Sequence, residues 1–339
     1  MNEPSSENTP VQPPSLPDFK DRSTGLTVFG ILTLLLGCAA GLMVLMMLAA
    51  TSVAPTNPNT PPTPLASVIL VIFMYGGLAV SLIWLGIGSV MARRWARALL
   101  LIFSWAWLVM GIILMPVMGF FLPKVWENMP AINGRPAMPP GAITIMMIVM
   151  LLVVGFFFVL LPAIWIFFYS SRHVKATCER RDPVTRWTDA CPLPVLGMCL
   201  WLLMSVPMML IMPVMSHGLM PFFGMLLTGL PGSFLWLVVA ALYGYCAWRL
   251  YKMDVRAWWI TLVVILLFTL SNVITYSEHN ILEIYHAMGY PQAVIDQIQK
   301  MGMFTGNSMA WMMLIVMVPC LGYILFVKKY LPGSKTSRA

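Results

Sequence analysis

The stretch SSRHVKATCERRDPVTRWTDACP, residues 170–192, divides the chain into two halves that consist almost wholly of apolar segments. It holds five basic and three acidic residues, whereas only 9% of the residues of the whole chain are charged and 60% are hydrophobic. In soluble domains about a quarter of the residues are charged, so the two halves belong in lipid. We therefore predict an integral membrane protein whose halves are joined by a polar linker loop at 170–192.

Eight segments of the chain are long and apolar enough to cross the hydrocarbon core of a bilayer, which takes about 20 helical residues. Their continuous apolar runs predict helices, because a membrane barrel would show alternating polar and apolar residues. The predicted spans are residues 26–53, 65–92, 98–122, 142–169, 193–215, 222–248, 257–276 and 309–327. The predicted fold is therefore all-α, a polytopic membrane protein with eight transmembrane helices.

The Lys and Arg residues of the loops predict the orientation, since cytoplasmic loops retain positive charge. Seventeen of the 20 basic residues fall on one side of the predicted spans, and the other side has only Lys124, Arg135 and Lys300. Both termini and the linker loop are therefore predicted to be cytoplasmic, with residues 1–25 as a disordered tail and 328–339 as a basic tail. Orientation also explains the net charge of +8, so nucleic acid is not expected as a partner.

The two halves resemble each other in sequence. Pro162 and Pro319 each stand seven residues before an aromatic residue, and basic residues follow that aromatic residue. The segments GIGSVMARRWARALLLIFSW (86–105) and GYCAWRLYKMDVRAWWITLVV (244–264) also match, because each has a basic turn with a Trp and an Arg-Ala pair. We predict two tandem four-helix membrane repeats, 26–169 and 193–327, that run in the same direction because each has an even number of spans. The alternative is that Leu-rich helices with basic turns are similar by composition alone.

A candidate metal site lies in the predicted external helical segment 276–307, which is expected to form two short amphipathic helices. His279, Glu283 and His286 recur at steps of four and three, so they share one face of a helix. Imidazole and carboxylate groups are ligands of zinc and copper, and His217 lies on the same side as a possible fourth ligand. The alternative is the solvated face of a helix at the membrane surface, since the H-E-x-x-H order of zinc proteases is missing.

The linker carries a second set of metal-binding residue types, His173, Cys178 and Cys191. A closed zinc site needs four ligands, and the close Cys pairs of a zinc ribbon are missing. We therefore interpret the linker as a folded connector with two buried or idle thiols.

No motif for catalysis is present: the sequence has no phosphate loop, no dinucleotide fingerprint and no nucleophile elbow. No predicted span carries a charged residue, which argues against a proton-driven pump. The phrases HVKATCERRDP (173–183) and RWTDACPLPVL (186–196) resemble those of bacterial membrane proteins. This resemblance implies a place in the bacterial cytoplasmic (inner) membrane and brings no activity with it.

We therefore predict a non-catalytic multi-pass membrane protein that serves as a passive conduit or as a partner-binding component. Its partners would be the lipid bilayer and another membrane protein or a second copy of the chain, and no cofactor is expected. A conduit would use the interface between the halves, where Ser271, Asn272, Pro162 and Pro319 are candidates for wetting or breaking helices. The alternative function is a metal-dependent membrane enzyme, or a copper- or zinc-handling protein, that uses the external His and Glu cluster and binds a divalent metal.

Overall fold

The computed structural model describes residues 20–53, 65–133, 140–301 and 308–332. Within these ranges the chain forms twelve α-helices and one two-stranded hairpin. The helices are α1 Ser23–Val53, α2 Leu65–Val90, α3 Arg94–Asn133, α4 Pro140–Gly155, α5 Leu161–Ser170, α6 Arg172–Arg181, α7 Leu193–Met215, α8 Gly229–Tyr251, α9 Val255–Glu278, α10 Ile281–Ala287, α11 Gln292–Met301 and α12 Ser308–Val327. The strands are β1 Met220–Phe222 and β2 Met225–Leu227.

The prediction of an all-α polytopic fold is confirmed. Within the described ranges, eight helical segments are long and apolar enough to cross a membrane, with α4 and α5 counted as one. The predicted break of the segment 276–307 into two helices is confirmed by α10 and α11. The prediction that His279 shares one helical face with Glu283 and His286 is wrong, because His279 follows the end of α9 in an extended conformation and α10 begins only at Ile281. Of the predicted tails, residues 1–19 and 333–339 lie outside the described residues, and α1 already begins at Ser23.

The predicted start of the sixth span at residue 222 is wrong, because the hairpin occupies residues 220–227 and α8 begins only at Gly229. The run MPFFGMLL is apolar throughout, so hydropathy does not separate these strands from the helix that follows. Helix α3 continues beyond the predicted end of the third span at residue 122 to Asn133, although its part that is apolar enough to cross a membrane is Arg94–Gly119.

A π turn, Phe156–Leu160, joins α4 to α5 just before Pro162. A proline ring inside a helix displaces the carbonyl four residues earlier, here that of Phe158, and a π turn accommodates the displacement. Gly111 of α3 faces this carbonyl, and a Cβ on residue 111 would lie only 2.2 Å from the Phe158 oxygen. A glycine at position 111 is therefore required for α3 to approach the interrupted span.

Each half has its own apolar core. In each half the first spanning helix packs along the second, the second contacts the third, and the third packs against the fourth. Buried residues of α2, α3, α5 and α6 with Leu26 form the first core, and those of α7, α8, α9 and α12 form most of the second. The halves meet where α7 contacts α2 and α3, and where Ile102 of α3 lies against Gly197.

The turns that join α2 to α3 and α8 to α9 have the same backbone conformation. Ala92 and Met253 both adopt a left-handed conformation, with φ of 52° and 62°. The backbone N–H of each of these two residues donates to the carbonyl three residues earlier, at 2.9 and 2.8 Å. The N–H of the next residue, Arg93 in the first turn and Asp254 in the second, donates to the carbonyl five residues earlier, at 2.9 and 3.1 Å. These are the two bonds of a Schellman helix end. Two tandem repeats would have the same backbone conformation at equivalent turns, as these two turns do. The repeat itself stays a prediction.

These two turns, the linker, the start of α1 and the end of α12 lie together at one end of the bundle, which we call the basic end. The backbone N–H of Arg22 donates to the Thr177 hydroxyl (3.1 Å), and the Tyr251 hydroxyl donates to the Trp187 carbonyl (2.9 Å). The opposite end carries β1, β2, α10 and α11, and we call it the hairpin end. Which end faces the cytoplasm stays a prediction.

The linker is a folded connector, as we interpreted it from the sequence. Asp182 is only 2% exposed and contacts Arg93 at 3.6 Å and Arg186 at 3.3 Å. Cys178 and Cys191 are buried, and burial raises the pKa of each thiol to about 11. Both thiols therefore stay protonated at neutral pH, which makes them poor nucleophiles and poor metal ligands.

Candidate functional site: the hairpin end

The hairpin follows α7 directly and is closed by a two-residue turn, Phe223–Gly224. Met220 pairs with Leu227, and Phe222 pairs with Met225, in antiparallel register. Both turn residues have positive φ, 44° and 86°, which is the conformation that matches the twist of two paired strands. A glycine accepts this conformation without steric cost, whereas Phe223 does not. The strain at Phe223 therefore has to be offset by contacts elsewhere.

Those contacts come from one face of α9, where Ser271, Thr275 and His279 follow one another at steps of four residues. The backbone N–H of Phe223 donates to the Ser271 hydroxyl (3.0 Å), and that of Gly224 donates to the Thr275 hydroxyl (3.0 Å). Ser271 and Thr275 lie one above the other, because residues four apart on a helix share one face. His279, the residue after the end of α9, continues this row beside the turn through its contact with Gly224. We call this row the α9 ladder.

Each hydroxyl of the α9 ladder also donates its own proton. Ser271 donates to the Pro221 carbonyl (3.0 Å), and Thr275 donates to the Ser271 carbonyl (2.9 Å). Both residues are buried, at 5% and 0% exposure. Because a buried hydroxyl without a partner is costly, these saturated groups fix the position of the turn on α9.

His279, the last member of the ladder, contacts an acceptor with each ring nitrogen. Nε2 lies 3.0 Å from the Gly224 carbonyl and Nδ1 lies 3.0 Å from the Glu283 carboxylate. A carbonyl only accepts, so Nε2 must donate, and an ionised carboxylate beside Nδ1 favours a proton there as well. The hydrogen bond with Glu283, followed by that with Gly224, raises the pKa of His279 above its ordinary value. The arrangement therefore favours the imidazolium form.

A side chain at position 224 would also displace the side chain of Glu278. A Cβ on this residue would lie 2.2 Å from a carboxylate oxygen of Glu278. Gly218 and Gly232 allow a similar close approach at the base of the hairpin, where a Cβ on Gly232 would lie 1.9 Å from the Gly218 carbonyl. The base of the hairpin is therefore packed against α8 at backbone distance, whereas its turn contacts side chains of α9.

Comparisons of the chain with protein-family models, with curated proteins and with solved structures find no match. The functional assignment therefore rests on the geometry of the hairpin end.

The structure brings two of the four predicted metal ligands into contact, His279 and Glu283. His286 is exposed on α10, and His217 is exposed at the end of α7, where a Cβ on Gly289 would lie 4.0 Å from its ring. Among the described residues, no group of three His, Cys, Asp or Glu side chains could hold a metal ion. An imidazolium has no free lone pair, so His279 would have to give up a hydrogen bond to ligate one. The metal site stays a prediction that this geometry does not favour.

The two polar residues that a conduit would use have structural partners. Ser271 belongs to the α9 ladder, and the Asn272 amide donates to the Phe268 carbonyl of its own helix (2.7 Å). Other hydroxyl groups within the spans also donate to the carbonyl four residues earlier: those of Thr33, Ser104, Ser205, Thr261 and Thr269. In the described spans, these donors are therefore directed at the backbone.

The hairpin and Thr275 were not predicted from the sequence, and Ser271 was predicted only as a residue of a conduit. The available signals were Gly224 after two aromatic residues, and the spacing S-x3-T-x3-H over residues 271–279. His279 was singled out, but its Gly224 partner is 55 positions away in sequence, and this pairing follows only from the packing of the hairpin on α9.

Proposed function

We propose that the protein is a non-catalytic membrane component that binds a partner membrane protein, or a second copy of itself, through the hairpin end. The observation that carries the proposal is the hairpin, whose turn is fixed on α9 while Phe223 and Met225 remain exposed. A preformed surface loses little conformational entropy on binding, and exposed aromatic residues within a polar rim are typical contact residues of interfaces.

The surroundings of the turn supply the polar rim. Glu278, Glu283, His286 and His217 are exposed on the hairpin end, and the Glu278 carboxylate lies beside Gly224 of the turn. The rim combines carboxylates with imidazoles, so it suits a partner with both donors and acceptors. Water would hydrate the same groups in the absence of a partner, which keeps the surface soluble outside the membrane.

A partner-binding role is favoured over a passive conduit by the state of the polar groups inside the spans. A pathway for a polar solute needs polar side chains that face it. In the described spans the hydroxyl and amide donors named above bond to backbone carbonyls, and the charged residues lie at the ends of the spanning helices. These groups stabilise helices and their packing, which is a structural use.

Site-specific photo-crosslinking in native membranes tests the proposal. A photoreactive amino acid replaces Phe223 in one variant and Phe167 in another, since Phe167 of α5 is 81% exposed on the apolar surface. We expect a discrete protein adduct from position 223 and none from position 167. The partner is then identified by mass spectrometry of the adduct, which also distinguishes a second copy of this chain from another protein.

Two results would contradict the proposal. One is the absence of a protein adduct at position 223, and at Met225 as a second site, when the variant is present at its normal level. The other is rapid release of small polar solutes from liposomes that contain the purified protein, because this would show a conduit.

A further inference from the structure

The basic end of the second half carries cations without acidic partners. Lys252, Arg256 and Lys328 are exposed, and none of them takes part in an ion pair among the described residues. The one carboxylate at this turn, Asp254, pairs with Arg249 and accepts the backbone N–H of Arg256 (2.9 Å). The positive charge of this surface is therefore largely uncompensated.

Aromatic rings hold two of these cations in place. The Lys328 ammonium lies 4.7 Å from the ring centre of Trp258 and 4.5 Å from that of Trp259, and the Lys252 ammonium lies 4.6 Å from that of Trp248. Trp258 is buried, and its indole N–H donates to the Ile324 carbonyl (2.8 Å), so the ring is fixed between α9 and α12. An ammonium above a ring face keeps N–H groups on its other side for an anion.

The basic turn of the first half and Lys175 of the linker are paired with linker carboxylates instead. Arg93 pairs with Asp182, Arg94 lies within 3.8 Å of Glu179 and 3.6 Å of Asp189, and Lys175 pairs with Glu179. The general excess of positive charge at this end therefore does not account for the difference between the halves. Lys252, Arg256 and Lys328, at the ends of α8, α9 and α12, form no such ion pair with the carboxylates of the described residues.

We propose that this surface of the second half, formed by Lys252, Arg256 and Lys328 with Trp248 and Trp259, docks the headgroups of anionic phospholipids. The cations lie at the ends of spanning helices, at the depth where headgroup phosphates lie. The two tryptophans are half exposed, at 53% and 50%, as is typical of indoles at a membrane interface. A phosphate beside these cations accepts their free N–H groups while its acyl chains follow the apolar helix surface.

Lipid binding by purified full-length protein in detergent tests the proposal. The probes are phosphatidylglycerol and phosphatidylcholine with identical acyl chains, and the readouts are the lipid adducts in native mass spectrometry and the Tm at each lipid concentration. We compare the wild type with the variant K252Q/R256Q/K328Q and with the matched control R172Q/K175Q/R181Q, which removes the same charge from the linker. Size-exclusion profiles and circular dichroism establish that each variant is folded.

The expected result is preferential binding of phosphatidylglycerol by the wild type and by the control. The second-half variant should lose at least about fivefold in affinity, the effect of one basic residue near an anionic surface. If this variant does not fold, the single variants Lys328→Gln and Lys328→Arg replace it, and only Lys328→Gln should lose affinity.

Three results would overturn the proposal. The first is an equal loss in the linker control, because the binding would then follow net charge alone. The second is an equal affinity of the wild type for both lipids. The third is a shift of the Tm by inorganic phosphate or by a soluble acidic peptide that equals the shift by phosphatidylglycerol, since the surface would then not be specific for a lipid headgroup.

Discussion

The turn between α2 and α3 and the turn between α8 and α9 share one backbone conformation but are stabilised differently. Arg93 immediately precedes α3 in the first half, and the buried carboxylate of Asp182 in the linker neutralises it. Asp254 stands at the equivalent position in the second half, where it caps its own helix and pairs with Arg249. The turn of the first half therefore depends on the linker for its charge balance, whereas the turn of the second half is balanced by its own carboxylate.

The difference shows why the linker is folded although it is the most polar stretch of the chain. Three carboxylates of the linker, those of Glu179, Asp182 and Asp189, contact the basic turn of the first half. These ion pairs add to the apolar packing of Ala92 and Trp95 and hold the linker on the turn. The hairpin of the second half uses neutral hydroxyl groups for the same purpose.

The largest expected effect follows from replacement of the buried carboxylate, Asp182→Asn. The change leaves Arg93 and Arg186 without an ionic partner and should lower the free energy of unfolding by about 2 kcal/mol. This is less than for a fully buried pair, because both arginines are about one-third exposed. Unfolding in mixed detergent micelles measures the change.

The matched variant is Asp254→Asn, which should lower the stability much less, because asparagine also caps a helix N-terminus. Equal losses in the two variants would mean that the halves do not differ in the way described.

A smaller effect is expected from Gly224→Ala at the hairpin turn. An alanine at φ 86° is strained, and its Cβ would displace the Glu278 carboxylate, for a cost of about 1 kcal/mol. The effect should be confined to the second half. Hydrogen exchange of the hairpin amides should therefore become faster, while that of the amides in the α2–α3 turn should not change. The matched control is Gly119→Ala, since no atom lies within 4 Å of a Cβ at that position. Unchanged exchange in the hairpin would show that the turn is not tightly packed.

The smallest effect is the pH dependence of the hairpin end through His279. The hydrogen bonds with Glu283 and Gly224 raise the pKa of His279 in the folded protein. A raised pKa means that the stabilisation is fully present below the unfolded value of about 6.5 and is lost as the pH rises through the folded value. Hydrogen exchange of the hairpin should therefore become faster as the pH rises above neutral, after correction for the intrinsic pH dependence of exchange.

His279→Gln should remove this pH dependence, and His286→Gln, on the exposed face of α10, should keep it. A pH dependence that persists in His279→Gln would assign the effect to another group.

Hydropathy and loop charge predicted the eight spans, the connector at 170–192 and the two external helices, since each depends on local composition. They did not predict the hairpin, because MPFFGMLL reads as an apolar run of either helix or strand. The candidate site was predicted only as a set of residues. The ring of His279 bonds to a carbonyl of a distant segment, and such a partner is determined by tertiary packing that spacing along one helix does not contain.

Hydrogen–deuterium exchange of the backbone amides of Phe223 and Gly224 tests most directly whether the hairpin is a preformed surface fixed on α9. The account predicts slow exchange in the wild type, because both N–H groups donate to the hydroxyls of Ser271 and Thr275. It predicts fast exchange in the variant S271A/T275V, with unchanged exchange in the α8–α9 turn. Fast exchange of both amides in the wild type would contradict the account, because the hairpin would then not be held in place by the α9 ladder.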